Sequence, residues 1–274
     1  MQNTSEICKK YKIRIEKIHK TAATDMPSSH AHPTYELYFL LSGERRYFVG
    51  HRIYDVCPGE LVVIPKNEIH RTTAPGSVGY ERYVVFFDDK CMDNLSNIIG
   101  GENCRTFMQS GCITLPPNCI DKIKSLLSMI ASECMKVDEL SDAIMFNALQ
   151  GIIVCAMRYG KKKDCKMKNG ADKIQEVAQY ICDNYADDIT LREMAQMAYM
   201  EQTYFSKKFK KLTGFSFKEY LIRTRVKAAQ KLLSSSNLTI SEISELCGYS
   251  GSNYFGDAFK KHTGVSPSEW KRNG

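Results

Sequence analysis

The stretch Tyr199-x-x-x-x-Tyr204-Phe205-x-x-x-Phe209-Lys210-Lys211-x-Thr213-Gly214-x-Ser216 recurs fifty positions later as Tyr249-x-x-x-x-Tyr254-Phe255-x-x-x-Phe259-Lys260-Lys261-x-Thr263-Gly264-x-Ser266. Upstream, Met194 matches Ile243 at an offset of forty-nine, so the second copy carries one extra residue, assigned to Gly248 in its turn. Each copy reads as a short helix, a turn, a longer helix and a glycine stop, which is helix-turn-helix geometry. Two copies are too few for a solenoid. A long helix over Phe217 to Leu233 joins them, with Tyr220, Leu221, Val226, Ala229, Leu232 and Leu233 as its apolar stripe. Five pairs with capping-box spacing mark helix starts: Asp172/Gln175, Thr190/Glu193, Ser216/Glu219, Thr239/Glu242 and Ser266/Glu269. Gly214, Gly248 and Gly264 punctuate helix ends.

Within the longer helix of the first copy, Phe205 and Phe209 lie one turn apart and must face the core. The opposite face is then Gln202, Thr203, Ser206, Lys207 and Lys210, side chains of the kind that read base edges and phosphates. From Thr203 to Lys231 there are nine Lys/Arg (207, 208, 210, 211, 218, 223, 225, 227 and 231) against one acid, Glu219. A basic excess lying on a helix-turn-helix pattern points to double-stranded DNA as the partner. No catalytic constellation is visible in this half.

Working outward, residues 30 to 87 read as short β-branched and aromatic strands punctuated by Gly43, Gly50, Gly59 and Gly76, which favours a β-sandwich or barrel. Residues 118 to 159 turn to helical period. Their stripes are Ile123, Leu126, Leu127 and Ile130, then Leu140, Ile144, Ala148, Ile152 and Cys155. The second stripe is broad enough to pack on its own barrel or on a twin helix in a homodimer. The charged, glycine-bounded run 160 to 170 is a linker. The 274 residues are 43% hydrophobic and 25% charged, with a net charge of +7, ordinary for a two-domain globular chain. The longest apolar run, Ile152 to Met157, is far short of the roughly 20 residues that cross a bilayer. The charged first twenty residues hold no signal-peptide core. Eleven cysteines without a CxxC suggest reduced thiols in a cytoplasm.

Residues 172 to 274 resemble the DNA-binding domain of the AraC/XylS family of bacterial transcription regulators. The likeness runs through Leu191, Met194-Ala195, Tyr204-Phe205-Ser206, Phe209-Lys210, Gly214, Ser216-Phe217, Tyr220, Arg225, Ala229, Leu232-Leu233, Ile240, Ile243, Gly248-Tyr249, Tyr254-Phe255, Phe259-Lys260-Lys261, Gly264 and Ser266-Pro267. The resemblance implies paired recognition helices in adjacent major-groove segments. Thr203, Ser206 and Lys207 would face bases in the first segment, Asn253, Gly256 and Asp257 in the second, with Lys260 on the backbone. It also implies promoter DNA, RNA polymerase and a small-molecule effector as partners, and activation of transcription by a homodimer. Two departures stand out. Glu201 occupies a position often Ser or Pro. Asp257 occupies one that is often basic, where an acid can only accept from cytosine N4.

The strand-rich half carries His30-x-His32-x-x-x-Glu36-x-x-x-x-x-x-Gly43, then Gly59-x-x-x-x-x-Pro65-x-Asn67-x-x-His70. These resemble the two motifs of the cupin barrel, whose three His and one Glu converge on a metal. Asn67 stands where that family has Gly, and Ala74 where it often has Asn. Three imidazoles and a carboxylate would suit Zn, Mn, Fe or Ni. The regulators, by resemblance, use the mouth of such a barrel for a small ligand, and no resident cofactor is then expected. His30, His32, Glu36, Tyr38 and His70 are the effector-binding candidates, with Tyr35, Tyr47 and Arg46 as further amphipathic groups. The expected fold is α+β: a cupin-like sensor barrel over 1–117, a helical hairpin over 118–160, a linker over 161–171, and an all-α domain with two helix-turn-helix units over 172–274. The expected function is a non-enzymatic regulator sensing a sugar or related metabolite. The alternative is a metal-dependent cupin enzyme fused to a DNA-binding domain.

Overall fold

The computed structural model describes residues 11–22, 24–25, 32–109, 111–136, 138, 140–164 and 171–273. The chain forms two compact units, Met1–Cys165 and Lys166–Gly274.

The first unit contains β1 (Arg14–Ala22), β2 (Tyr35–Ser42), β3 (Arg45–Val49), β4 (Arg52–Val56), β5 (Leu61–Ile64), β6 (His70–Thr73), β7 (Val78–Phe87), α1 (Asp89–Ile99), α2 (Gly101–Met108), β8 (Cys112–Thr114), α3 (Pro117–Glu133), α4 (Ser141–Tyr159) and β9 (Lys161–Lys162). The strands form one sheet in the order β1-β7-β2-β5-β8-β9 and a second in the order β4-β3-β6. Strand alternation gives the larger sheet two different faces. Leu37, Phe39, Leu61, Val63, Tyr83, Val85 and Phe87 pack beneath the helices with Leu95, Phe107, Ile123, Leu127, Ile152 and Ile153. Tyr38, Leu40, Val62, Ile64, Tyr80 and Val84 turn the other way and meet Tyr47, Val49, Tyr54 and Val56 of the smaller sheet. That second set packs between the two sheets, in the interior, or lumen, of a cupin-like barrel.

Several elements depart from expectation. Strand β1 precedes the strands read from sequence; of its side chains only Ile15 is buried, and it pairs with β7 alone at the sheet edge. Helices α1 and α2 fall in a stretch that gave no pattern. Residues 161 to 163 are not linker: β9 pairs with β8, and Lys163 Nζ reaches both oxygens of the buried Glu60 at 2.8 and 2.7 Å. Around α4, burial consumes Met145, Ala148, Leu149, Ile152, Ile153, Cys155 and Ala156 within its own unit, the intramolecular alternative for that stripe. Leu140, counted as its start, is 68% exposed.

The second unit contains α5 (Ala171–Asp183), α6 (Leu191–Met197), α7 (Gln202–Thr213), α8 (Phe217–Ser235), α9 (Ile240–Leu246), α10 (Ser252–Thr263) and α11 (Pro267–Asn273). The duplicated phenylalanines fill equivalent places. Phe205 and Phe209 lie 5.4 Å apart and Phe255 and Phe259 lie 5.7 Å apart, all fully buried. Thr190, Thr239 and Ser266 close capping boxes with Glu193, Glu242 and Glu269. Ser216 caps α8 from its own side chain only, while Glu219 turns to Arg223 at 3.5 Å. Asp172 lies inside the first turn of α5, which runs from Ala171, and not ahead of it as an N-cap would.

Backbone geometry corrects the position of the inserted residue. Tyr199 N–H donates to Gln196 O and Met200 N–H to Ala195 O; Gly248 N–H donates to Glu245 O and Tyr249 N–H to Ser244 O. Tyr199 and Gly248 are therefore equivalent, at an offset of forty-nine, and both are left-handed, with φ of 55° and 76°. The offset becomes fifty at the N-caps, Glu201 and Gly251, so the extra residue is Ser250. Equal spacing had aligned Tyr199 with Tyr249, yet Tyr199 is 87% exposed and Tyr249 only 5%. The equivalent Tyr199 shows that this φ alone does not demand glycine; close approach does, since a Cβ on Gly248 would lie 2.4 Å from Ala186 O.

Candidate functional site

In the second unit, α7 and α10 follow the short helices α6 and α9, and α8 connects the two hairpins. Because Phe205 and Phe209 point inward, Gln202, Thr203, Lys207 and Lys210 are exposed and Ser206 is half-exposed on one face of α7. On α10, Asn253, Asp257 and Lys260 are exposed and Gly256 half-exposed in the corresponding places. Gly256 meets open space, with nothing within 4 Å of a built Cβ, so no internal packing demands a glycine there. Glu201 is the N-cap of α7 and accepts from Tyr204 N–H at 2.9 Å. Backbone hydrogen bonds from Thr203 and Tyr204, with Lys207 nearby, hold its carboxyl below the usual range.

Not every cation in the basic run is available. Arg225 Nε donates to Tyr185 O at 2.7 Å and its Nη2 to Asp187 O at 2.9 Å, so this guanidinium ties α8 to the loop after α5. Arg223 lies 4.8 Å over the Phe215 ring, and Lys208 folds back onto Tyr204. The exposed lysines on the two longer helices are Lys207, Lys210 and Lys211, then Lys260 and Lys261.

In the first unit, β2 and β6 bring three of the sequence candidates together. The Nε2 atoms of His32 and His70 lie 3.0 and 3.4 Å from Glu36 Oε2, and Tyr47 O–H donates to Glu36 Oε1 at 3.1 Å. Burial raises the Glu36 carboxyl, but the hydrogen bonds and charge of His32 and His70 outweigh it and hold the group well below the usual carboxylate range. His70 is shifted the other way: burial lowers it, and the Glu36 hydrogen bond and charge raise it further. His32 Nδ1 lies 3.0 Å from Thr34 O and His70 Nδ1 lies 2.9 Å from Glu68 O. A carbonyl only accepts, so the His70 Nδ1 carries a proton; the His32 Nδ1 also meets the Thr34 hydroxyl at 2.9 Å, which satisfies either tautomer, and both Nε2 atoms face the same carboxylate oxygen. Asn67, where cupins have Gly, takes the left-handed conformation itself, with φ of 58°, and its N–H donates to His32 O at 2.8 Å. The second motif thus keeps its backbone despite the substitution. His30 lies outside the described residues.

Tyr38 is completely buried in the lumen but its hydroxyl touches none of these groups. Tyr35 faces the helices instead, stacked on Phe87 with its O–H donating to Asp89. Arg46 points outward and pairs with Asp55 at 2.7 and 3.0 Å. Its neighbour Arg45 is the one inside, fully buried beside Tyr47's face of β3. A strand side chain shares its face with i±2 and not with i±1, so Tyr47 and Arg46 were never able to line one wall. The same parity on β7 places Arg82 with Tyr80 and Val84, a second lumen arginine that the motifs did not mark.

Two family models match the chain: an AraC-like ligand binding domain over residues 13–106 and a helix-turn-helix domain over residues 194–273. The Msm operon regulatory protein of Streptococcus mutans is 23% identical over 243 residues, covering 87% of this chain and 84% of that protein. The HTH-type transcriptional activator RhaR of an Enterobacter species is 21% identical over 248 residues, covering 89% and 86%. Among solved structures, the C-terminal domain of AraT, a response regulator from Geobacillus stearothermophilus, is 36% identical; the match covers 37% of this chain and 85% of that one, with a TM-score of 0.36. A ligand-binding barrel joined to a helix-turn-helix domain defines a transcription regulator that binds DNA with its helical unit. The chain belongs to the AraC/XylS family of these regulators. Among the described residues no helix is long and apolar enough to cross a membrane.

Proposed function

We propose that the chain is a cytoplasmic transcription activator, working as a homodimer, whose barrel lumen takes a sugar or related metabolite. Occupancy shifts the population toward an arrangement that sets the helix-turn-helix units on spaced half-sites near RNA polymerase. The observation that carries the DNA half is the repeated face: hydrogen-bonding side chains followed by lysines, exposed at equivalent positions of α7 and α10. Thr203, Ser206 and Lys207 read bases, Asn253, Gly256 and Asp257 line the second groove segment, and Gln202, Lys210 and Lys260 fix the register on phosphate. The test is Lys207→Ala on DNA selected by the protein from a random pool. A loss of about 1–3 kcal/mol at one base position supports base contact, and an equal loss on all sequences assigns Lys207 to phosphate. The sensor binds and releases its effector unchanged; recovery of a chemically altered ligand after incubation would contradict this.

One observation favours a second reading. The ligand atoms of His32, Glu36 and His70 all lie within 4.8 Å of one another. Two imidazole Nε2 atoms aimed at one carboxylate oxygen either donate their protons to it or, deprotonated, present two ligand atoms to a divalent cation. The donor set fits such a cation, since carbonyl-held Nδ1 protons orient metal-binding imidazoles. His32, Glu36 and His70 would then hold it, and it would supply Lewis-acid chemistry. Metal analysis of the purified protein decides: stoichiometric iron or manganese with turnover replaces the pure sensor with an enzyme-regulator.

A further inference from the structure

The lumen carries one buried and one half-buried arginine against a single buried carboxylate. Arg45, 1% exposed, donates from Nε to Thr72 Oγ1 at 3.0 Å and from Nη1 to Thr24 O at 2.7 Å, which fixes the guanidinium without neutralising it. Its Nη2 has no hydrogen-bond partner, and its carbon lies 4.1 Å over the Tyr80 ring. Arg82 lies 5.1 Å over the Tyr38 ring, and its Nε is likewise unpartnered. Among the described residues neither arginine forms an ion pair. The Tyr38 hydroxyl, fully buried and within electrostatic reach of both guanidiniums, has no partner either. Glu36 is already engaged by His32, His70 and Tyr47. Arg45 Nη2, the Nε of the half-buried Arg82 and the Tyr38 hydroxyl are thus buried donors with no acceptor, from β3, β7 and β2, an arrangement native proteins avoid unless something else supplies one.

We propose that the effector carries a carboxylate, bound by Arg45, Arg82 and the Tyr38 hydroxyl, and that it is a small hydroxylated acid such as a sugar acid. This rests on the lumen being the effector pocket and adds the charge of what enters it. A guanidinium and a phenol match the two acceptor oxygens of a planar carboxylate. Glu36 and Tyr47 share the faces of β2 and β3 with Tyr38 and Arg45, and the phenol oxygen of Tyr47, whose proton goes to Glu36, is left to accept from a hydroxyl on the same molecule. A phosphate dianion fits less well, because it is harder to strip of water in an enclosed, largely aromatic space.

The experiment pairs acids with matched neutral compounds on the full-length chain: D-glucuronate with D-glucose, D-galacturonate with D-galactose, and gluconate with glucitol. D-Glucose 6-phosphate serves as the phosphate arm. Melting temperature and calorimetric affinity are the readouts. At least one acid is expected to stabilise the protein while its neutral partner does not. Arg82→Gln is expected to weaken that acid roughly ten- to hundredfold. Tyr38→Phe keeps the ring and removes one donor, so it should fold normally and weaken the acid as well. Neutral sugars binding as well as acids, or the phosphate ester binding alone, overturns the carboxylate while leaving lumen sensing intact. Silence from every compound overturns both. Binding that survives Arg82→Gln and Tyr38→Phe unchanged places the ligand elsewhere and overturns the assignment.

Discussion

Asn67 holds a left-handed backbone at the turn into β6, and its N–H fixes the chain at His32. Asparagine tolerates this region better than any residue but glycine, because its short amide bonds locally. Asn67→Gly should therefore leave urea stability within about 0.5 kcal/mol. Asn67→Ala should cost about 1 kcal/mol, and should loosen His32 against Glu36 in the same protein. Equal stability of the two variants would show that the turn relaxes freely and does not position the lumen. Glu201 poses the opposite case, a side chain whose local fitness conflicts with its proposed surroundings. It caps α7 well, yet it sets a full negative charge where that helix would meet phosphate. Glu201→Ser keeps a capping oxygen. The melting temperature should stay where it is while DNA affinity at low salt rises several-fold. Unchanged affinity would mean that the α7 N-terminus does not lie at the DNA backbone.

Capping boxes were legible in the sequence because they are closed within four residues and owe nothing to the rest of the chain. Thr190, Thr239 and Ser266 accept from the backbone while Glu193, Glu242 and Glu269 reach back. Asp172 failed because box spacing also occurs inside a first turn, and only the backbone start distinguishes the two. Strand β1 was hidden for the converse reason: its alternation is written in Lys, His and Glu, since an edge strand buries little. Lumen residues were legible as motif members, but Arg45 and Arg82 have no motif and declare themselves only through strand parity. The boxes also predict an acid limit for the helical unit. Hydrogen bonds to Thr190, Thr239 and Ser266 hold Glu193, Glu242 and Glu269 below the ordinary carboxyl value of 4.5. A depressed folded pKa stabilises fully above the unfolded value and loses that contribution as pH falls through the folded one. Trp270, the single tryptophan, packs on Phe259 and reports on this unit. Its thermal transition should decline gently as pH falls below 6.5, because burial and the Arg223 and Lys261 charges keep His262 from protonating in the fold, and then more steeply below 4.5 as the boxes are lost. The triple variant Glu193→Gln, Glu242→Gln, Glu269→Gln should start lower and flatten that fall; an unchanged profile would remove the boxes as its cause.

A net charge of +7 spread over 274 residues would not by itself commit the chain to DNA. What matters is which cations stay exposed on the two longer helices. Arg225 is consumed by Tyr185 and Asp187 carbonyls, Arg223 covers Phe215, and Lys208 bonds Tyr204. Counting nine basic residues from Thr203 to Lys231 therefore overstates the interface; sequence shows charge but not its internal partners. The exposed helix lysines are Lys207, Lys210 and Lys211 against Lys260 and Lys261. The second set shares its face with Asp257 and with Gly256, which offers no side chain. The two hairpins, alike in backbone, should thus contribute unequally. If each exposed lysine neutralises one phosphate, the log–log dependence of affinity on salt has a slope of about −4 to −5 per chain. Lys210→Ala or Lys211→Ala should flatten it by about 1 each. Arg225→Gln should lower the melting temperature, by releasing the Tyr185 and Asp187 carbonyls that tie α8 to the loop after α5, and leave the slope alone. A flat salt dependence, or a slope that moves with Arg225 and not with the lysines, would mean that the exposed faces of α7 and α10 are not where this protein holds DNA.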